Sequence, residues 1–300
     1  MRADLDVTLE LARALLREQH PDLADLPLQL AAHGWDNVMV RAGDRLALRL
    51  PRREAAAPLV LHEREALPVL APALAAAVPE VAVPEVVRAG RPSAALGYPW
   101  AWNVVRWVDG VRAAATPVEA RTAWAPVLGR FLTALHRPVP AGVTAPANPY
   151  RGVSLRRRSA PLLDLTGSAA DVWQAALDAP EHAGPPVWLH GDPHPANLVV
   201  SPGEPGGEAD RLAAVVDFGD VTAGDPASDL GTLWLTFDAA GRKACRAAMA
   251  DAGARWDDAT WARARGWALI FAGAMLAHPD EHPALVPVGA HGLAAVLDGR

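Results

Sequence analysis

The sequence predicts an α+β chain in two parts, a strand-rich first third and a mostly helical remainder. Three observations predict it. Short apolar runs separated by turn signals recur up to residue 107. From residue 225 to 300 the apolar residues repeat at helical spacing instead. The chain's 300 residues, 51% of them hydrophobic, are enough to fill two lobes or one large core.

Residues 4–19 repeat Leu5, Leu9, Ala12, Leu15 and Leu16 at helical spacing and read as an opening helix. Residues 37–41 and 45–50 read as two strands around a Gly43-Asp44 turn, and Pro51-Arg52-Arg53 ends the second. Residues 58–67 read as a helix stopped by Pro68. Residues 81–89 and 98–107 read as further strands on either side of Gly90-Arg91-Pro92-Ser93. Asp109-Gly110 is the expected boundary, giving a first lobe over 1–107 and a second over 108–300. Beyond it, 117–136 reads as helix and 137–149 as a loop rich in Pro and Gly. The apolar runs 186–189, 198–200 and 212–216 read as short strands. Pro279, Pro283 and Pro287 interrupt the last helical stretch, and no internal repeat is evident.

Composition narrows the function classes. A single cysteine, Cys245, excludes an internal disulfide and suits a reducing compartment. The opening Met1-Arg2-Ala3-Asp4 leads into a helical pattern and does not read as a signal peptide. The apolar stretch 66–87 is broken by four prolines, and 269–276 is too short to span a bilayer. A soluble cytoplasmic protein is expected, without a membrane or nucleic-acid partner, and its net charge of −6 mildly favours a cationic ligand. Lysine occurs once, at Lys243, so the phosphate-gripping role in the first lobe falls to an arginine or is absent.

Two segments carry chemistry. His190-Gly191-Asp192-Pro193-His194-Pro195-Ala196-Asn197 fits H-x-D-x-x-x-x-N, and Asp217-Phe218-Gly219-Asp220 follows with Asp217 20 residues after Asn197. Each fragment alone is weak, but their order and spacing make the pair specific. A transferring phosphoryl group carries spread negative charge, so the protein mostly positions and neutralises it. Asp192 suits the carboxylate that orients an acceptor hydroxyl and takes its proton. Asn197 and Asp217 offer the hard oxygens that Mg²⁺ prefers.

With Gly34-Trp35-Asp36-Asn37, Leu48-Arg49-Leu50-Pro51-Arg52-Arg53, Tyr98-Pro99-Trp100, Arg106-Trp107-Val108-Asp109-Gly110 and Gly224-Asp225-Pro226-Ala227-Ser228-Asp229-Leu230, these segments give a resemblance over nearly the whole chain. It resembles the aminoglycoside phosphotransferase family, a branch of the kinase-like fold that also includes choline kinase and macrolide phosphotransferases. The resemblance implies a bilobal protein-kinase-like fold with a small antiparallel sheet in the first lobe. It implies transfer of the γ-phosphoryl group of ATP or GTP, with Mg²⁺, to a small hydroxyl-bearing substrate, first of all an aminoglycoside-type antibiotic. Nucleotide would lie between the lobes and the acceptor against the C-terminal helices. It places Arg49 at the phosphate-gripping strand position, paired with Glu63 or, second, Glu65. Val105, Arg106 and Trp107 would form the hinge to the base. The stretch 32–37, with Gly34 and Asn37, would cover the phosphates in place of G-x-G-x-x-G. Asp192 would be the base, Asn197 and Asp217 the metal ligands, and Asp229 the brace of the catalytic loop.

Plainer readings stand beside these. His190 reads as a packing residue, and His194 as a loop histidine bonded to backbone, with approach to substrate the alternative. Asp220 and Asp225 read as turn and helix-start residues. Arg151 and Arg156-Arg157-Arg158 read as a solvated face, with a substrate contact as the alternative. The tryptophans read as core. Asp251, Asp257, Asp258, Asp280 and Glu281 could line a polycation pocket but read first as surface. The rival functions are a kinase of another small metabolite (an amino alcohol, sugar or macrolide), a nucleotide-binding pseudokinase, and a metallohydrolase using His190, Asp192 and His194.

Overall fold

The structure, a computed structural model, describes residues 3–34, 36–158, 160–203 and 207–298. Trp35 lies outside the described residues. The chain divides into two compact units: Met1–Pro68 with Val83–Val108, and Val69–Ala82 with Asp109–Arg300.

The first unit opens with α1 (Leu9–Gln19), which starts later than the apolar pattern suggests because the Thr8 hydroxyl accepts the Leu11 N–H and caps it there. Then come β1 (Leu28–His33), β2 (Asn37–Ala42), β3 (Leu46–Pro51), α2 (Ala57–Ala77, of which the part from Val69 belongs to the second unit), β4 (Val86–Gly90) and β5 (Trp102–Arg106). The five strands form one antiparallel sheet in the order β1-β2-β3-β5-β4. Strand alternation sends Val38, Val40, Leu48 and Leu50 into a core with Leu15, Leu16, Trp102 and Val104. Arg49 therefore points to the opposite face from Leu48 and Leu50, the face on which it meets Glu63 of α2. Arg64 ties the same helix to β5 and β4 through the Asn103 side chain (2.6 Å) and the Gly90 carbonyl (2.7 Å). At Gly90 a Cβ would lie 2.0 Å from the Trp102 ring, so only glycine lets that ring close over the strand.

One element is added to those expected and one expectation is corrected. β1 lies over a stretch where no strand is expected, and it pairs along the edge of β2. Helix α2 does not stop at Pro68 but runs through Pro68 and Pro72 to Ala77. Each proline removes one N–H, while buried Val60, Glu63, Leu67, Leu70 and Leu74 continue at helical spacing.

The second unit holds β6 (Val111–Arg112), α3 (Ala125–Leu135), α4 (Ser168–Asp178), β7 (Val187–Leu189), β8 (Leu198–Ser201), β9 (Arg211–Val215) and β10 (Thr222–Gly224). Then follow α5 (Ala227–Leu230), α6 (Thr232–Thr236), α7 (Ala239–Asp251), α8 (Asp258–Ala277) and α9 (Val286–Leu297). β6-β8-β9 form one small antiparallel sheet and β10-β7 another. The stretch expected as one helix over 117–136 is a 3₁₀ segment (Glu119–Trp124) followed by α3, with Pro126 in the first turn, where a missing N–H costs nothing. Pro287 sits likewise in the first turn of α9. The α8 helix packs on α4, α5 and α9, and α3 packs on α7. Asp257 caps α8 through the Thr260 N–H, and Asp238 caps α7 through the Gly241 N–H. Among the described residues no helix is long and apolar enough to cross a membrane.

Candidate functional site

The β8-β9 hairpin builds the site. Leu198 faces Val215 at its open end, and Val216 N–H donates to the Asn197 carbonyl (2.9 Å). That bond sets Asn197 and Asp217 on neighbouring strand ends. The loop entering β8 folds back on itself. The Asp192 carbonyl accepts from the His194 N–H (2.9 Å) and from Asn197 Nδ2 (2.9 Å). The Asn197 amide nitrogen is thereby committed, and Oδ1 is the atom available to a cation. Asp217 has φ +67, the one positive φ at a non-glycine among the described residues. Such conformations persist only where the surroundings impose them, and they concentrate at functional sites. An amide oxygen and a carboxylate at one hairpin end form a hard-oxygen set that fits Mg²⁺.

Asp229, at 0% exposure, holds the loop from below. Its two oxygens accept the N–H groups of His190 (2.7 Å) and Gly191 (2.9 Å), and His136 Nε2 lies 3.2 Å away. Gly191 has φ +89, and a Cβ there would sit 2.2 Å from the Asp220 carbonyl oxygen, so the loop passes Asp220 only as glycine. His190 packs against the Phe218 ring at a tilt of 52° (4.5 Å between centroids), and its Nε2 is 3.0 Å from the Val216 carbonyl. Its Nδ1 accepts the Asp192 N–H, so the ring proton lies on Nε2. Both nitrogens are used within the protein, which removes His190 as a zinc ligand. Among the described residues no three His, Cys, Asp or Glu side chains are grouped to hold a metal.

Asp192 lies between two basic groups. Its Oδ2 is 3.3 Å from His194 Nε2, and its Oδ1 is 3.4 Å from Arg151 Nη2. Burial works against its charge, but His194 and Arg151 outweigh that and hold the carboxyl well below the usual range. For His194, burial disfavours the imidazolium, yet the Asp192 carboxylate prevails and raises its pKa. His194 also caps the turn at Pro195–Asn197, where Nδ1 accepts the Ala196 N–H. Asp220, expected as a turn residue, takes the Asn148 amide on its Oδ1 (2.8 Å), and burial raises its pKa. Asp225 does cap its turn through the Ala227 N–H (3.0 Å), but it also forms a two-pronged buried pair with Arg263, at 2.7 and 3.2 Å. No sequence signal marked Arg263 or Asn148. Arg151 was visible only as part of a basic cluster, and the structure brings it to Asp192.

In the first unit Arg49 Nη1 bonds Glu63 Oε1 at 3.0 Å, both side chains nearly inaccessible, so Glu63 rather than Glu65 is the partner. The first-lobe loop is tied by Gly34 N–H to the Asn37 carbonyl (2.9 Å) and by Arg53 to Asp36 (3.2 Å), and the Asn37 Oδ1 is buried without a hydrogen-bond partner. Val105 is buried in β5. The N–H groups of Arg106 and Trp107 donate to Glu85 (3.0 Å) and Arg45 (2.9 Å), and Arg41 covers the Trp107 ring at 5.2 Å. The backbone N–H groups of Arg106 and Trp107 are thus both engaged within the first unit.

Residues 27–267 match the model of the phosphotransferase enzyme family (APH). Solved structures share the fold. APH(2")-IIIa in complex with GDP and kanamycin superposes with TM-score 0.63 at 18% identity, over 96% of this chain and 97% of that one. Macrolide 2'-phosphotransferase MphH from Brachybacterium faecium gives 0.62 at 25% identity, over 96% and 97%. The streptomycin–ATP complex of APH(2")-IIa gives 0.56 at 15%, over 98% and 97%. Among curated proteins none matches. The α+β architecture is therefore the kinase-like one, and the chain belongs to the phosphotransferase enzyme family.

Proposed function

We propose that the protein transfers the γ-phosphoryl group of ATP or GTP to a hydroxyl of a small molecule in the cytoplasm, with Mg²⁺. The observation that carries this is the meeting of Asp192, Asn197 and Asp217 through backbone and amide hydrogen bonds at one hairpin end. That arrangement also favours turnover over a pseudokinase. The acceptor oxygen bonds to the γ-phosphorus as the bridge to the β-phosphate breaks, and the hydroxyl proton passes to Asp192. Asp192 is weakly basic and ionised at rest, so it orients the hydroxyl and takes the proton late, as a loose transition state allows. Asn197 and Asp217 would hold Mg²⁺, which neutralises phosphate charge when bound. Asp229 and His190 keep the loop in place. Arg49, fixed by Glu63, grips phosphate as a fork where a lysine would be a point charge. Val105, Arg106 and Trp107 would line the base, and Asn37 the phosphates. The division into a nucleotide lobe over 1–107 and a catalytic lobe over 108–300 belongs to this reading.

Support for the ligands comes from the neighbours: GDP and kanamycin on one, streptomycin and ATP on another, and a macrolide phosphotransferase as a third. An aminoglycoside and a macrolide are thus both starting points for the acceptor. The test is transfer of labelled γ-phosphate from ATP and GTP to an acceptor panel, with Asp192→Ala as control. Transfer at an undiminished rate in the variant, or no Mg²⁺-dependent nucleotide binding at all, overturns the reading.

A further inference from the structure

We infer that Arg151 and Arg158 set the charge of the acceptor: the molecule phosphorylated beside Asp192 is one of low positive charge with a ring or apolar face, and polycations are selected against. The inference rests on the phosphotransfer reading and deepens it.

Arg151 reaches Asp192 Oδ1 at 3.4 Å, so its cation borders the place where the acceptor hydroxyl must lie. Its guanidinium lies over the Phe271 ring at 5.0 Å. Arg158 lies over the Tyr150 ring at 5.4 Å and the Trp267 ring at 5.8 Å. The Nε–H of each arginine is buried without an acceptor. Arg151 thus sets a cation on one oxygen of Asp192 with an aromatic ring against its guanidinium. A polycationic acceptor would bring like charge against it. A neutral or anionic molecule offers oxygens to the arginines and a face to Tyr150, which is 61% exposed.

The arginines hold their places because their loop lies along α8. A Cβ at Gly273 would sit 2.9 Å from the Leu162 N, and one at Gly266 2.9 Å from the Leu155 side chain. Of the nearby carboxylates, Asp220 accepts the Asn148 amide and its burial disfavours the charged form, and Asp217 is assigned to the cation in the phosphotransfer reading. Asp251, Asp257, Asp258, Asp280 and Glu281, expected as a possible polycation wall, are all exposed, and Asp257 is spent on capping α8.

Titration calorimetry with kanamycin tests this on the wild type, Arg151→Glu and Arg158→Glu. Removing one like-charge contact and adding an attraction should tighten kanamycin binding by about tenfold or more in Arg151→Glu, with the gap narrowing at high salt. Equal affinity, no gain, or tighter binding by the wild type overturns the inference. Melting curves and nucleotide binding verify that each variant is folded. Should Arg151→Glu fail to fold, Arg158→Glu carries the same expectation. Wild-type protein that binds no nucleotide would sink the phosphotransfer reading by a separate readout.

Discussion

The Asp229 carboxylate accepts the backbone N–H of His190 on one oxygen, at 2.7 Å, and that of Gly191 on the other, at 2.9 Å. One buried side chain thus fixes the peptide geometry two residues before Asp192. Each buried donor left without a partner costs about 1–3 kcal/mol. Asp229→Ala is therefore expected to lower the unfolding free energy by about 3 kcal/mol in urea titration, and to abolish transfer. An unchanged urea midpoint would contradict this bracing role.

Asp192 is held by His194, Arg151 and the backbone of its own loop, so its loss should separate chemistry from nucleotide binding. A positioned general base contributes about 10²–10⁴-fold. Asp192→Ala is expected to lower kcat within that range and leave the nucleotide Kd almost unmoved. Steady-state kinetics paired with nucleotide titration check both halves. A large change in Kd would show that the carboxylate acts on nucleotide rather than acceptor.

The Arg49–Glu63 pair makes a different prediction, because stability and function should come apart. Removing one partner of a buried pair costs about 3–5 kcal/mol, whereas an apolar pair of similar volume is often neutral. Glu63→Ala should lower the melting temperature, and Arg49→Met/Glu63→Leu should recover most of it. The double variant should nevertheless lose nucleotide affinity. If it binds nucleotide as the wild type does, Arg49 is a structural residue only.

How far the sequence carried these conclusions depended on range. The spacing of Asp192, Asn197 and Asp217 is local, and a hairpin joins them, so motif and strand pattern together were enough to place them. Leu48, Arg49 and Leu50 alternate in plain view, and parity alone sends Arg49 away from the core. Pro68 predicts a stop in α2, yet a buried stripe on both sides of it carries the helix on. The Asp225–Arg263 pair spans 38 positions, and nothing local to either residue announces it. Arg151 lies in a loop without periodicity, so its place beside Asp192 follows only from how that loop packs along α8.

The last prediction concerns acid. His291, in α9, is 3.1 Å through Nε2 from the Phe237 carbonyl. Burial lowers its pKa, and the hydrogen bond to Phe237 only partly opposes that. In the unfolded chain the imidazole titrates near about 6.5. Below that pH the unfolded state binds the proton more readily than the native state does, so stability is complete above about 6.5 and falls as pH drops toward the lowered native value. His20 is shifted the same way by burial. His194 is shifted the opposite way, so the wild type alone would report a mixture. The difference between wild type and His291→Gln isolates one group, because a glutamine amide can still donate to Phe237 without gaining charge. Urea midpoints from pH 7.5 down to about 5.5 should fall less steeply in the variant. Parallel pH profiles would show that His291 titrates alike in both states, and the argument from its burial would fail.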